Sequence, residues 1–164
     1  MTQWTPLMTG DPLPALPIQT SRGSGQLSDF IGHQLVVYFY PKDDTPGCTV
    51  EGQDFTRLHP EFLSANTQVI GVSRDSLASH QKFIDKYALS VTLVSDPDET
   101  VCTRFGVMKD KNMYGKTVRG VERSTFLFDA QGRLQSEWRG VKVPGHADEV
   151  LAAARSLSLA ASQD

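Results

Sequence analysis

The chain has 164 residues, enough for one domain with a sizeable core, and the whole of 1–164 is expected to form a single domain. Its 39% hydrophobic and 21% charged residues, with 13 Gly and 9 Pro, exclude the disordered, collagenous and disulfide-scaffold classes. With 16 Lys and Arg against 19 Asp and Glu, the net charge of −3 supplies no field to draw a nucleic-acid backbone or an anionic membrane, so neither is expected as a partner.

Residues 1–34 are rich in Pro, Gly and polar side chains, with an apolar stretch at Leu13–Ile18 that suits an edge strand and a short helical signal at Leu27–Ile31. No Lys or Arg precedes Arg22, and the prolines of this opening segment interrupt any apolar stretch of the signal-peptide kind, so a cytoplasmic protein is expected. Leu35–Tyr40 (LVVYFY) is the longest apolar run, far short of the roughly 18 to 20 residues that span a bilayer. Lacking polar alternation, it reads as a strand buried on both faces of a largely parallel sheet. Pro41 ends it, a polar turn comes next, and Phe55, Leu58, Phe62 and Leu63 recur at helical spacing from about Cys48 to Ala65, with a kink expected at Pro60.

Gln68–Val72 and Val91–Val94 are further strands flanking a helix over Ser76–Tyr87, and this rhythm is that of a βαβ sheet. Asp98–Phe105 reads as a short helix capped by Asp96 or Asp98, and Lys109–Lys116 as a polar loop. Val118–Val121, Ser124–Asp129 and Leu134–Trp138 read as strands, the last two joined through Ala130–Gly132. A final helix runs from about His146 to Leu157, and Ala160–Asp164 is expected to fray.

Two cysteines cannot staple a chain of this length, so each is present for packing or for reactivity. Cys48 stands at the first turn of a helix that comes straight off a central strand. Free backbone N–H groups and the positive end of the helix dipole both favour a thiolate there over a thiol. His33, His59, His80 and His146 have no i, i+4 partner and no third ligand, so they read as surface or packing residues and no metal is expected. Lys109, Lys111, Lys116 and Arg119, interleaved with Asp110 and Glu122, read first as a solvated face. Trp4 and Trp138 read as packing residues.

The run Tyr38-Phe39-Tyr40-Pro41-Lys42-Asp43-Asp44-Thr45-Pro46-Gly47-Cys48 resembles the PxxxTxxC signature of the peroxiredoxins. Extended through Glu51, it looks most like the Q-type, or bacterioferritin comigratory, subfamily, and Glu122–Phe126 resembles the segment that supplies that family's active-site arginine. The resemblance covers about Pro12 to Leu157. It implies a thioredoxin-like α/β fold, a central mixed sheet flanked by helices, and a thiol-dependent peroxidase acting on hydrogen peroxide and small organic hydroperoxides without a cofactor.

A peroxide needs an aligned thiolate and stabilisation of the charge that grows on the departing oxygen. Cys48 is the expected attacker. Thr45 can direct its hydroxyl at the same pocket, and Arg123 can hold a permanent charge beside the sulfur. Pro41 is expected to fix the turn and shield the sulfur from water, and Glu51 to orient Arg123 or the helix turn.

The resulting sulfenic acid must meet another thiol before it overoxidises. Relatives in the subfamily place that thiol five residues after the attacker or in the helix after the next strand. Here Gln53 holds the first place and Ile84 or Phe83 the second, so the chain has one working cysteine by nature or by substitution. Cys102, on a short helix with a buried side, reads as structural. The electron donor is expected to be thioredoxin, glutaredoxin or a low-molecular-weight thiol, and the protein a monomer. A dithiol–disulfide oxidoreductase would require C-x-x-C, and Thr45 occupies its first position. A redox sensor or thiol-switched holdase acting through oxidised Cys48 is the non-enzymatic alternative.

Overall fold

A computed structural model describes residues 7–162, so Trp4 lies outside the described residues. In chain order the elements are β1 (Pro17–Thr20), β2 (Gly23–Gln26), a one-turn 3-10 helix (Leu27–Phe30), β3 (Gln34–Phe39), α1 (Pro46–Ser64) and β4 (Thr67–Ser73). They continue with α2 (Leu77–Tyr87), β5 (Thr92–Ser95), α3 (Thr100–Arg104), β6 (Met108–Met113), β7 (Lys116–Val121), β8 (Ser124–Phe128), β9 (Leu134–Arg139) and α4 (His146–Ser162).

Seven strands form one mixed sheet in the order β2-β1-β5-β4-β3-β8-β9. β3, β4 and β5 are parallel, as their helical crossovers require, whereas β8, β9, β1 and β2 join antiparallel at the two sides. Every residue of β3 is buried, as its uninterrupted apolar sequence requires. Alternation along β3 divides the interior into two cores. Leu35, Val37 and Phe39 face one that includes Val101, Cys102 and Phe105 of the α3 region. Val36, Tyr38 and Tyr40 face the other, with Cys48, Phe55, Leu58 and Phe62 of α1, Phe83 of α2 and Val150, Leu151 and Ala154 of α4.

The structure corrects several boundaries. Lys109–Lys116 is not a loop: it belongs to an antiparallel hairpin of β6 and β7, a separate two-stranded sheet. Tyr114 and Gly115 make its two-residue turn with φ of 53° and 77°, the paired positive values of a type I′ turn. Most of the hairpin is exposed on both faces, so no hydrophobic alternation marked it. β1 takes in only Pro17 and Ile18 of the Leu13–Ile18 stretch and is not an edge strand, because β2, whose sequence GSGQ carries no strand signal, lies outside it. α3 starts only at Thr100, with the Asp96 carboxylate accepting from the N–H groups of Val101 and Cys102. α1 continues through Pro60 to Ser64. α4 persists to Ser162 instead of fraying from Ala160, consistent with the helix-forming LSLAAS stretch at its end.

Candidate active site

β3 and the first turn of α1 place Cys48. The strand ends at Phe39, Tyr40 donates its N–H to the Val72 carbonyl at 3.1 Å, and the chain bends through Pro41 into α1, whose third residue is Cys48. Pro46 fits here because the first helical N–H has no intrahelical acceptor to lose. Cys48 is buried at 2% exposure and free.

The two-residue link between β7 and β8, and not a strand, places Arg123 beside the sulfur. Its Nη2 donates to Cys48 Sγ at 3.4 Å, and its Nη1 donates to Glu51 Oε1 at 2.5 Å. Glu51 lies one helical turn after Cys48, on the same face of α1. The guanidinium therefore bridges the Cys48 sulfur and the Glu51 carboxyl group and does not pair with its neighbour Glu122. Gly47 leaves room for this bridge, because a Cβ there would stand 3.2 Å from Arg123 Nη2. The Arg123 side chain keeps 16% exposure, so the cation borders solvent at the mouth of an otherwise buried cluster.

Burial pushes the Glu51 carboxyl up to about 7, against the pull of Arg123. On Arg123, burial opposes the charge, but Glu51 and the Cys48 sulfur outweigh it and hold the guanidinium protonated. Glu51 Oε2 and Tyr38 Oη are both buried without a hydrogen-bond partner. Burial, then Glu51 and Cys48, push the Tyr38 hydroxyl well above its ordinary range, so it remains a phenol.

Thr45 is the N-cap residue of α1, yet its side chain caps nothing. Its hydroxyl instead donates to the Lys42 carbonyl at 2.8 Å, which leaves the oxygen lone pairs free to accept from a bound O–H. Pro41 is exposed at the start of the bend. Ile84 is half-buried on α2 and packs against the core that contains Cys48, whereas Cys102 is fully buried in the core on the other face of the sheet. Burial first, then Asp96, pushes the Cys102 thiol far up and keeps it neutral.

The residues that the sequence singled out thus converge at Cys48, Glu51 and Arg123, with Thr45 three residues before the sulfur. Tyr38, Asp43 and His80 were missed. Tyr38 is hidden in an apolar run, and His80 meets Asp43 only through the fold. His80 and His146 are buried and hydrogen-bonded, not surface residues. No cluster of three or more His, Cys, Asp or Glu suited to a metal occurs among the described residues.

Residues 9–137 match the AhpC/TSA family. The chain belongs to that family. It is 54% identical over 142 residues to peroxiredoxin Bcp of Xanthomonas campestris pv. campestris, covering 86% of this chain and 89% of that one. A solved structure of the Xanthomonas campestris bacterioferritin comigratory protein, described for its alkyl peroxide reduction activity, superposes with a TM-score of 0.85 at 50% identity, covering 90% of this chain and 99% of that one. Peroxiredoxin 6 of Arenicola marina, in a cysteine-to-serine form, reaches a TM-score of 0.84 at 18% identity over 94% of this chain and 75% of that one, which shows the shared fold. The fold is thioredoxin-like, and the chain is a peroxiredoxin, a thiol-dependent peroxidase. Among the described residues, no helix is long and apolar enough to cross a membrane.

Proposed function

We propose that Cys48 is the nucleophile that reduces hydrogen peroxide and small organic hydroperoxides. Its sulfur attacks the terminal peroxide oxygen, an S–O bond forms as the O–O bond breaks, and the departing hydroxide or alkoxide takes up a proton as water or alcohol. The sulfur is oxidised by two electrons to a sulfenic acid. An external thiol then attacks that sulfur, releasing water and leaving a mixed disulfide, which a second thiol opens to restore Cys48.

The observation that carries this reading is the single guanidinium bonded to both Cys48 Sγ and Glu51 Oε1. Arg123 stabilises the sulfur as an anion and the charge on the leaving oxygen, and it does so from the short link between β7 and β8, held in place by Glu51. Glu51 fixes the fork of Arg123. Thr45 accepts the peroxide O–H, and Pro41 sets the bend that carries Thr45 toward the sulfur.

Cys102 is structural in this reading, supported by its burial across the sheet from Cys48. The donor is therefore external: thioredoxin, glutaredoxin or a low-molecular-weight thiol. Two free thiols suit a reducing cytoplasm, and the whole of 1–164 acts as one monomeric domain. Cys48→Ser tests the assignment: peroxide turnover with a thiol reductant disappears while the circular dichroism spectrum stays that of the parent. Retained turnover would remove Cys48 from the reaction.

A further inference from the structure

We propose that Asp43, through its buried pairing with His80 of α2, is a positioning residue that holds the Pro41–Thr45 bend in the form that receives peroxide. This rests on the assignment of Cys48 and Thr45 given above.

Asp43 lies inside the bend, two residues before Thr45, yet its side chain is only 4% exposed. Four groups from three segments converge on it. Tyr40 Oη donates to Oδ1 at 2.6 Å, and Ser79 Oγ donates to Oδ2 at 2.8 Å. His80 Nδ1 lies 2.7 Å from Oδ2, and the Asp43 N–H donates to Asp75 Oδ2 at 2.9 Å. The His80 ring is fully buried, with Nε2 2.8 Å from the Val94 carbonyl on β5. A carbonyl only accepts, so Nε2 donates there. The short Nδ1–Oδ2 contact then holds a second proton between ring and carboxyl group.

A merely exposed tether would not need this arrangement. Asp44, the next residue, also reaches α2 through Lys86 Nζ at 2.8 Å and Tyr87 Oη at 2.6 Å. Those groups are largely solvated and hold little. The buried contact is the stiff one. It also anchors the rest of the bend, because Asp44 takes a left-handed φ of 58° and Thr45 folds back to bond the Lys42 carbonyl. Releasing Asp43 frees this turn, moves the Thr45 oxygen, and leaves Cys48 held by α1 and Arg123. Peroxide reduction, which needs both Thr45 and Cys48 aligned, suffers. Simple alkylation of the sulfur, which needs only Cys48, does not.

The test compares two stopped-flow rate constants at Cys48, one with hydrogen peroxide and one with iodoacetamide. For Asp43→Ala, the peroxide constant is expected to fall about tenfold or more while alkylation stays within about twofold of the parent. Asp43→Asn can donate to an unprotonated Nδ1 and still accept from Tyr40, so it is expected to recover to within about threefold of the parent. Tyr40→Phe keeps the ring and removes the donor to Oδ1 together with a long 3.5 Å contact to His80 Nδ1, and a smaller loss confined to peroxide is expected. It carries the same test should Asp43→Ala fail to fold. Parallel loss of both constants, or an unchanged ratio in a folded variant, overturns the proposal. Peptide mapping of the peroxide-treated parent separates the two levels, since oxygen on a residue other than Cys48 would instead overturn the assignment beneath it.

Discussion

Glu51 is the residue whose charge costs most in this site. Its carboxyl is buried and one oxygen is unpartnered, so Arg123 offsets only part of the loss of water. A carboxyl held at about 7 in the folded chain against an ordinary 4.5 keeps its proton over a range where the unfolded chain has lost it. The folded state then binds more protons between these values, and stability falls as pH rises through that window. Removing the titration with Glu51→Gln predicts that the parent loses about 3 kcal/mol relative to the variant between pH 4.5 and pH 7, from 1.36 kcal/mol per pKa unit. Urea unfolding of both proteins at closely spaced pH values measures it, and parallel curves would show that Glu51 ionises normally. At this scale Cys48 was legible from its strand-turn-helix setting, and Thr45 and Arg123 from the resemblance of the Pro41–Cys48 turn and of Glu122–Phe126 to the family's segments. Asp43 and His80 were not, because a carboxylate and an imidazole 37 positions apart carry no joint pattern in sequence.

Elements were legible where burial leaves an unbroken apolar run or a helical period. β3, β4 and α1 show it, and Tyr38 and Gly71 show what it does not reveal. The two residues are paired across β3 and β4, and a Cβ at Gly71 would meet Tyr38 Cζ at 2.6 Å and Oη at 2.7 Å. The ring cannot yield, since it stacks on Phe55 of α1 at 4.5 Å between centroids. Gly71→Ala is therefore expected to destabilise by about 1–3 kcal/mol. Gly120→Ala in β7, where nothing lies within 4 Å, should stay within about 0.5 kcal/mol. Equal unfolding midpoints in urea would show that the Tyr38 ring is not confined. The hairpin of β6 and β7 marks the other limit, because a ribbon solvated on both faces has no apolar face for a pattern to report.

For the whole molecule, the decisive feature is the sheet between the two thiols. Cys48 belongs to the core under α1, α2 and α4, and Cys102 to the core on the α3 side. A disulfide needs Cα atoms within about 7 Å and side chains directed at each other, which opposite faces of a sheet do not allow without opening the fold. A βαβ sheet was legible from the alternation of buried strands and helices, and its mixed character from the family resemblance, but the side of the sheet on which each thiol lies was not, since it depends on how the crossovers place α1 and α3. The decisive experiment is nonreducing mass spectrometry of the intact protein and its peptides after one equivalent of hydrogen peroxide, with a sulfenic-acid trap present. One trapped sulfenic acid on the Cys48 peptide, an untouched Cys102 and no internal disulfide are expected. A Cys48–Cys102 bridge, or oxygen added to Cys102 first, would contradict the assignment of Cys48 as the sole reacting thiol.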